Sequence, residues 1–227
     1  MKRAVDNFEL LAKTLFPNGK EAAEGEFYFV QVLVRGKDGN NVNGNNKNRL
    51  VRYYVVRSAE KLLEIKPEVE LLCTMHNARA YIHPTPRSDK DVAAIMLQQA
   101  VKEFTEGNYH MFRRLYSTAA GQSFVTDKKI FIVDLDPEQL NAETDGKCTA
   151  LDAIKMALII CRGKAGEGNE KVIAEVPTKS GLHLLCTPFD VGQFEHLLGS
   201  VQPYGIPAPD VHKNNPTVLF CWKEDDQ

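Results

Sequence analysis

The sequence predicts an α/β (α+β) chain of two lobes, the second a β-α-β-β-α-β unit. Three observations carry this reading. Residues 129–135 (KIFIVDL) form a near-continuous apolar run of strand length, as expected of a central strand covered on both faces. Residues 172–176 and 182–186 are two further strand-like runs, joined by the turn-rich Pro177-Thr178-Lys179-Ser180-Gly181. Helical periodicity follows the first of these strands and the third. The boundary falls near residue 120, between an N-terminal α/β lobe (1–120) and the β-α-β-β-α-β lobe (121–227) of one composite domain. No linker is long or biased enough to separate two independent domains.

Taken in order, residues 7–15 have helical spacing and are stopped by Pro17-Asn18-Gly19. Aromatic and β-branched residues then give a strand over 26–35, and a Gly/Asn-rich loop over 36–48 leads to its hairpin partner at 50–56. Ser58 offers an N-cap to a helix over 59–64, and Pro67 begins another to about Met75. A short strand at 78–82 ends at Pro84 and Pro86. Ser88 with Asp91 then opens a helix that runs to about residue 106 on Val92, Ile95, Met96, Gln99, Ala100 and Phe104. Residues 109–116 read as a further helix and 117–126 as loop. In the second lobe, Thr149 and Asp152 open a helix with Leu151, Ile154, Leu158 and Cys161 on one face, ended by Gly163. Phe194, Leu197 and Leu198 mark a short helix stopped by Gly199, and residues 217–222 (TVLFCW) are taken as the last strand. That order is the split βαβ arrangement of ferredoxin-like and RNA-recognition-type domains, with the first and third strands adjacent at the centre.

Composition narrows the function classes. With 43% apolar residues in 227 there is ample material for a buried core. No apolar run approaches the roughly 20 residues of a membrane span, and the N-terminal charges are unlike a signal peptide, so a cytoplasmic protein is expected. The five cysteines are widely spaced without a C-x-x-C pair, which points to a reducing compartment and away from structural zinc. The net charge of -2 hides an asymmetry: residues 1–129 carry 20 Lys/Arg against 15 Asp/Glu, and residues 130–227 carry 8 against 15. Such a split suits a polyanion on one lobe and metal ions on the other, and uneven solvated surfaces produce it equally well.

Two constellations bear chemistry. Asp134 and Asp136 stand two apart in a strand, so their side chains share a face. Paired carboxylates repel unless a cation neutralises them. Mg²⁺ and Mn²⁺ prefer oxygen ligands, and two such ions about 3.5–4 Å apart activate an attacking oxygen and stabilise a leaving phosphate. A strand end entering an exposed turn explains the same residues without chemistry. The second constellation is Thr178-Lys179-Ser180-Gly181-Leu182-His183. Gly181 lets the backbone turn or approach a phosphate, Lys179 and Ser180 offer phosphate contacts, and His183 projects from the strand start. A β-turn followed by a core histidine is the plain alternative. In the first lobe, Lys47, Arg49, Arg52 and Arg57 with Tyr53 and Tyr54 suit phosphate contacts and base stacking, though strand alternation puts only half of them on one face. Arg79 and Arg87 are similar, weaker candidates.

Phe131-Ile132-Val133-Asp134-Leu135-Asp136 and Ser180-Gly181-Leu182-His183-Leu184 resemble motifs I (hhhDhD/E) and II (sxH) of the archaeo-eukaryotic primase (primase-polymerase) superfamily, over residues 128–222. The resemblance implies that Asp134 and Asp136 bind catalytic Mg²⁺ or Mn²⁺ and that His183 contacts the phosphates of a nucleoside triphosphate. A motif III carboxylate completes the metal set. Asp210 is the first choice, although Pro209 rather than a large aliphatic residue precedes it. Asp190 is the rival, and an N-cap role explains Asp190 sufficiently. The zinc cluster of some members is missing.

The expected function is a metal-dependent nucleotidyltransferase of the primase-polymerase type, acting in DNA replication or repair. Asp134, Asp136 and Asp210 would hold the metals; His183, Lys179, Ser180, Gly181 and Arg52 would bind substrate. Its partners would be a nucleoside triphosphate, a single-stranded DNA or RNA template and replication proteins, with no membrane. The alternative is a catalytically inactive primase-like module that binds nucleic acid or a replication protein. A phosphohydrolase using Asp134 as nucleophile and Asp136 as acid/base fits less well, because Pro137-Glu138 follow where such enzymes carry a small pair.

Overall fold

Residues that read as strands and helices fold into two compact units in a computed structural model, which describes residues 3–38, 48–142, 148–163, 170–200 and 206–223. One unit comprises Met1–Lys128 with Pro216–Gln227, the other Lys129–Asn215. Most of the Gly/Asn-rich 36–48 segment, with Lys47, lies outside the described residues.

The first unit opens with strand β1 (Arg3–Asp6) and helix α1 (Phe8–Leu15), whose apolar positions Phe8, Leu11, Ala12 and Leu15 are buried. Strands β2 (Glu26–Val34) and β3 (Arg49–Val56) form the expected antiparallel hairpin, from Tyr28 opposite Val56 to Val34 opposite Arg49. Helix α2 (Ala59–Glu64) is capped by Ser58, whose side chain accepts from the Lys61 N–H at 3.1 Å, a cap worth about 1 kcal/mol. Helix α3 (Lys66–His76) ends at Asn77 in the left-handed conformation (φ 46°). Then come strands β4 (Arg79–Ile82) and β5 (Arg87–Ser88) and helix α4 (Asp89–Thr105), capped by Ser88. A 3-10 turn over Tyr109–Arg114 leads into helix α5 (Leu115–Gln122). The loop expected at 117–126 is thus mostly helix. Ser117, Thr118 and Gly121 dilute its pattern, and burial of Leu115, Ala119 and Ala120 holds the helix in place.

The second unit begins with strand β6 (Phe131–Leu135), the short helix α6 (Pro137–Leu140) and helix α7 (Ala150–Ile160), where Thr149 and Asp152 make a capping box. Strands β7 (Val172–Pro177) and β8 (Leu182–Cys186), helix α8 (Val191–Ser200) and strand β9 (Asp210–His212) follow. Its antiparallel sheet has the order β7-β8-β6-β9, so the first and third strands of the unit are central neighbours. Phe131, Val133, Leu135, Leu184 and Cys186 point to one face, where Ile154, Leu158, Phe194 and Leu198 of the two longer helices cover them.

The final strand, β10 (Thr217–Lys223), corrects the expected topology. It pairs with β1 and β4 in the first unit's sheet, ordered β1-β10-β4-β2-β3, and the fourth strand of the β-α-β-β-α-β unit is instead β9. Thr217 through Cys221 are buried without a break. A run with no solvated face suits the interior of a covered sheet, and β10 lies there between β1 and β4. Three residues containing an exposed Asp210 suit an edge well.

No helix among the described residues is long and apolar enough to cross a membrane. All five cysteines are thiols, and only Cys148 is exposed. Burial pushes the Cys73 and Cys186 thiols up to about 12. A thiol raised in this way stays protonated and unreactive at pH 8. Native-state alkylation at pH 8 is therefore expected to modify Cys148 alone, checked by intact mass and peptide mapping; rapid labelling of Cys186 would contradict the packing of β8.

Candidate functional site

Strand alternation builds the site. In β6 the odd residues Phe131, Val133 and Leu135 enter the helix-covered core, so Ile132 and Asp134 take the opposite face. The same rule assigns His183 and Leu185 of β8 to that face, because Leu184 and Cys186 are core residues. In β9, Val211 packs on the core and leaves Asp210 and His212 on the far side. Register then aligns the polar residues: Asp134 lies opposite His183 on one neighbour and opposite Asp210 on the other, and Ile132 lies opposite His212.

Three of the expected residues, Asp134, His183 and Asp210, therefore stand in one row across the sheet. His183 Nε2 is 3.2 Å from Asp134 Oδ1, and His212 Nε2 is 3.8 Å from Asp134 Oδ2. His183 is 9% exposed, whereas the Asp134 side chain keeps 32% of its surface open. Directly opposed residues in an antiparallel pair have Cβ atoms about 4.5–5.5 Å apart, and like charges so placed destabilise the sheet. The Asp134–Asp210 pair is such a placement, offset by the imidazoles when they carry charge.

Asp136 stands just past the end of β6, exposed, as the N-cap residue of α6. Its backbone stays extended (φ −77°, ψ 166°), so the alternation carries through to the Asp134 side. The Gln139 side chain accepts from the Asp136 N–H at 3.0 Å and fixes this turn. Gly181 is required here for a reason internal to the protein. A Cβ on Gly181 would lie 2.0 Å from the Leu135 carbonyl oxygen and 3.3 Å from Asp136 Cα. The 178–181 turn, closed by Thr178 N–H to the Gly181 carbonyl (3.0 Å) and Gly181 N–H to Thr178 Oγ1 (2.9 Å), thus rests against the end of β6. Half-buried Lys179 and exposed Ser180 form the tip of this turn, whose Gly181 lies against Asp136.

Other candidates have local duties. The Asp190 side chain accepts from the Gln193 N–H at 3.0 Å and caps α8. Arg52 belongs to the first unit, where its Nε is 3.2 Å from Glu68 Oε1 and its guanidinium lies 5.5 Å from the Tyr54 ring centroid. Tyr53 stacks on Tyr116 with centroids 5.2 Å apart, and Arg57 makes two 3.0 Å hydrogen bonds to Asp89. Arg79 pairs with Asp38. Arg87 is fully buried beside His83, and burial lowers its pKa to about 9. His212 escaped sequence reasoning; its only signal was the spacing Asp210-Val211-His212, which in a strand puts both polar groups on one face.

Among the described residues no group of three or more His, Cys, Asp or Glu side chains converges closely enough to hold a metal ion. The donors nonetheless suit a divalent cation in kind: carboxylates opposed on adjacent strands, a third beyond the strand end, and two imidazoles. No protein-family model, curated protein or solved structure matches the chain.

Proposed function

We propose that the second unit is the catalytic part of a metal-dependent nucleotidyltransferase of the primase-polymerase type. The observation that carries this reading is the row Asp210–Asp134–His183 across three adjacent strands, with the Lys179-Ser180 turn beside Asp136 at its end. Two carboxylates opposed across a ladder gain most from a cation, and a basic, hydroxyl-bearing turn next to them suits a polyphosphate.

Asp134, Asp136 and Asp210 would hold Mg²⁺ or Mn²⁺. Bound there, such ions supply charge neutralisation at the α-phosphate and activation of the attacking hydroxyl. His183 orients Asp134 through its 3.2 Å contact and faces the phosphates; Lys179 and Ser180 position the triphosphate tail. A primer 3′-hydroxyl or an initiating nucleotide is the nucleophile, and a single-stranded template with replication or repair proteins completes the setting. The test is extension of a labelled primer on a DNA or RNA template with Mg²⁺ or Mn²⁺. Wild-type protein is expected to add nucleotides and Asp210→Asn to lose the activity; no transfer with either metal overturns the reading.

A second reading has its own support. His183 and His212 both approach Asp134, so the carboxylate is satisfied without metal. Template binding without transfer would identify a primase-like binding module.

A further inference from the structure

Among the described residues of its unit, none covers the outer face of α4. The inner side packs through Val92, Ile95 and Met96, and Gln99 donates to Gln122 at 2.8 Å. The outer side is apolar: Leu97, Val101 and Phe104 are 69%, 67% and 64% exposed, and Tyr109 meets Phe104 edge-on with centroids 5.8 Å apart. Scattered exposed apolar residues are ordinary, whereas a contiguous row marks an interaction surface. The row also has a period. Ala94, Leu97, Val101 and Phe104 are spaced three, four and three residues apart, the a and d positions of a coiled-coil seam rather than the broader stripe of a helix on a globular core.

We propose that this seam is a homodimer interface in which α4 pairs antiparallel with α4 of a second copy across a two-fold axis. The seam is self-complementary. Antiparallel pairing centred on residue 99 layers Ala94 against Phe104 of the partner subunit and Leu97 against Val101 of the partner subunit, a larger side chain against a smaller one each time. Parallel pairing would crowd Phe104 on its own copy and leave Ala94 facing alanine across a gap. The flanks agree with the antiparallel choice. On one edge Ala100 meets its own copy, so the backbones can approach closely. On the other, Gln98 meets its own copy, where two amides hydrogen-bond each other, and Asp91 meets Thr105 of the partner subunit. No like charges are opposed along the seam, and an isologous contact of this kind closes at two copies.

Leu97, Val101 and Phe104, with Tyr109 against Phe104, are all exposed. At roughly 100–150 Å² each they bury on the order of 1,000 Å² between two copies, the low end of specific interfaces. The dimer is therefore weak and concentration-dependent, with a dissociation constant on the order of micromolar. The proposal is independent of nucleotidyl transfer.

Sedimentation equilibrium of the full chain, from about 1 to 200 µM to bracket such a constant, tests it. Wild-type protein is expected to pass from monomer to dimer, and Leu97→Glu with Val101→Glu to raise the dissociation constant at least tenfold. Circular dichroism should be unchanged, because both side chains are already in solvent. In a Cys148→Ser background, Gln98→Cys should be joined to its own copy by a short bifunctional maleimide, whereas Glu60→Cys should not. A monomer at every concentration, a dimer indifferent to the glutamates, or no Gln98→Cys product overturns the proposal.

Discussion

Replacing Gly181 by alanine is expected to destabilise the second unit by about 3 kcal/mol or more, at or above the upper end of ordinary overpacking. The added carbon would lie 2.0 Å from the Leu135 carbonyl oxygen, with the Leu135 carbonyl carbon at 3.1 Å and Asp136 Cα at 3.3 Å. All three are backbone atoms, so no rotamer change relieves the clash. Either β8 withdraws from β6, breaking the pairing of Leu135 with Leu182, or the turn carrying Asp136 moves. Both routes couple stability to the site, and a variant that still folds should lose nucleotide binding as well. Urea unfolding of wild type and Gly181→Ala measures the first effect; an unchanged midpoint would mean that the turn does not rest on the strand end.

The second large effect is expected at Asp134. Asp134→Asn keeps the shape of the side chain and its ability to accept a hydrogen bond, so the fold should lose about 1 kcal/mol or less, the ordinary net worth of a single hydrogen-bonded contact. Metal-dependent nucleotide binding should weaken at least about 100-fold, because even residues one layer behind a metal ligand cost about 10–100-fold. Asp190→Asn is the matched control. That side chain caps α8, where asparagine serves as well as aspartate, so neither stability nor binding should change appreciably. Equal losses in both variants would assign the Asp134 effect to general charge rather than to the site.

What the sequence revealed and what it hid follow from how far each signal reaches. Phe131 to Leu135 and Leu182 to Cys186 declared themselves as strands because burial on one face or both imposes apolar residues locally. Caps at Ser58, Ser88 and Thr149 were equally legible, since each bond spans three residues. The partner of a strand is not encoded in its own residues. Thr217 to Trp222 therefore read correctly as a strand and was assigned to the wrong sheet. The three-residue β9 carries Asp210 and His212 on an edge, too short and too polar to resemble a strand. The Asp134–His183 pairing was accessible from topology alone, because first and third strands are neighbours in this arrangement. His212 became visible only when β9 was in register beside β6. Gly181 suggested a tight approach, and the atom it approaches turned out to be the protein's own Leu135 carbonyl.

A metal site on Asp134 and Asp136 is tested most directly by calorimetric titration of Mn²⁺ and a nucleoside triphosphate into wild-type protein and an Asp134→Asn/Asp136→Asn variant. Nucleotide binding is expected to depend on the metal in the wild type and to be abolished in the variant, while the variant's unfolding midpoint stays close to normal. Nucleotide binding that is absent from both proteins, or equal in the two, would contradict a metal site on Asp134 and Asp136.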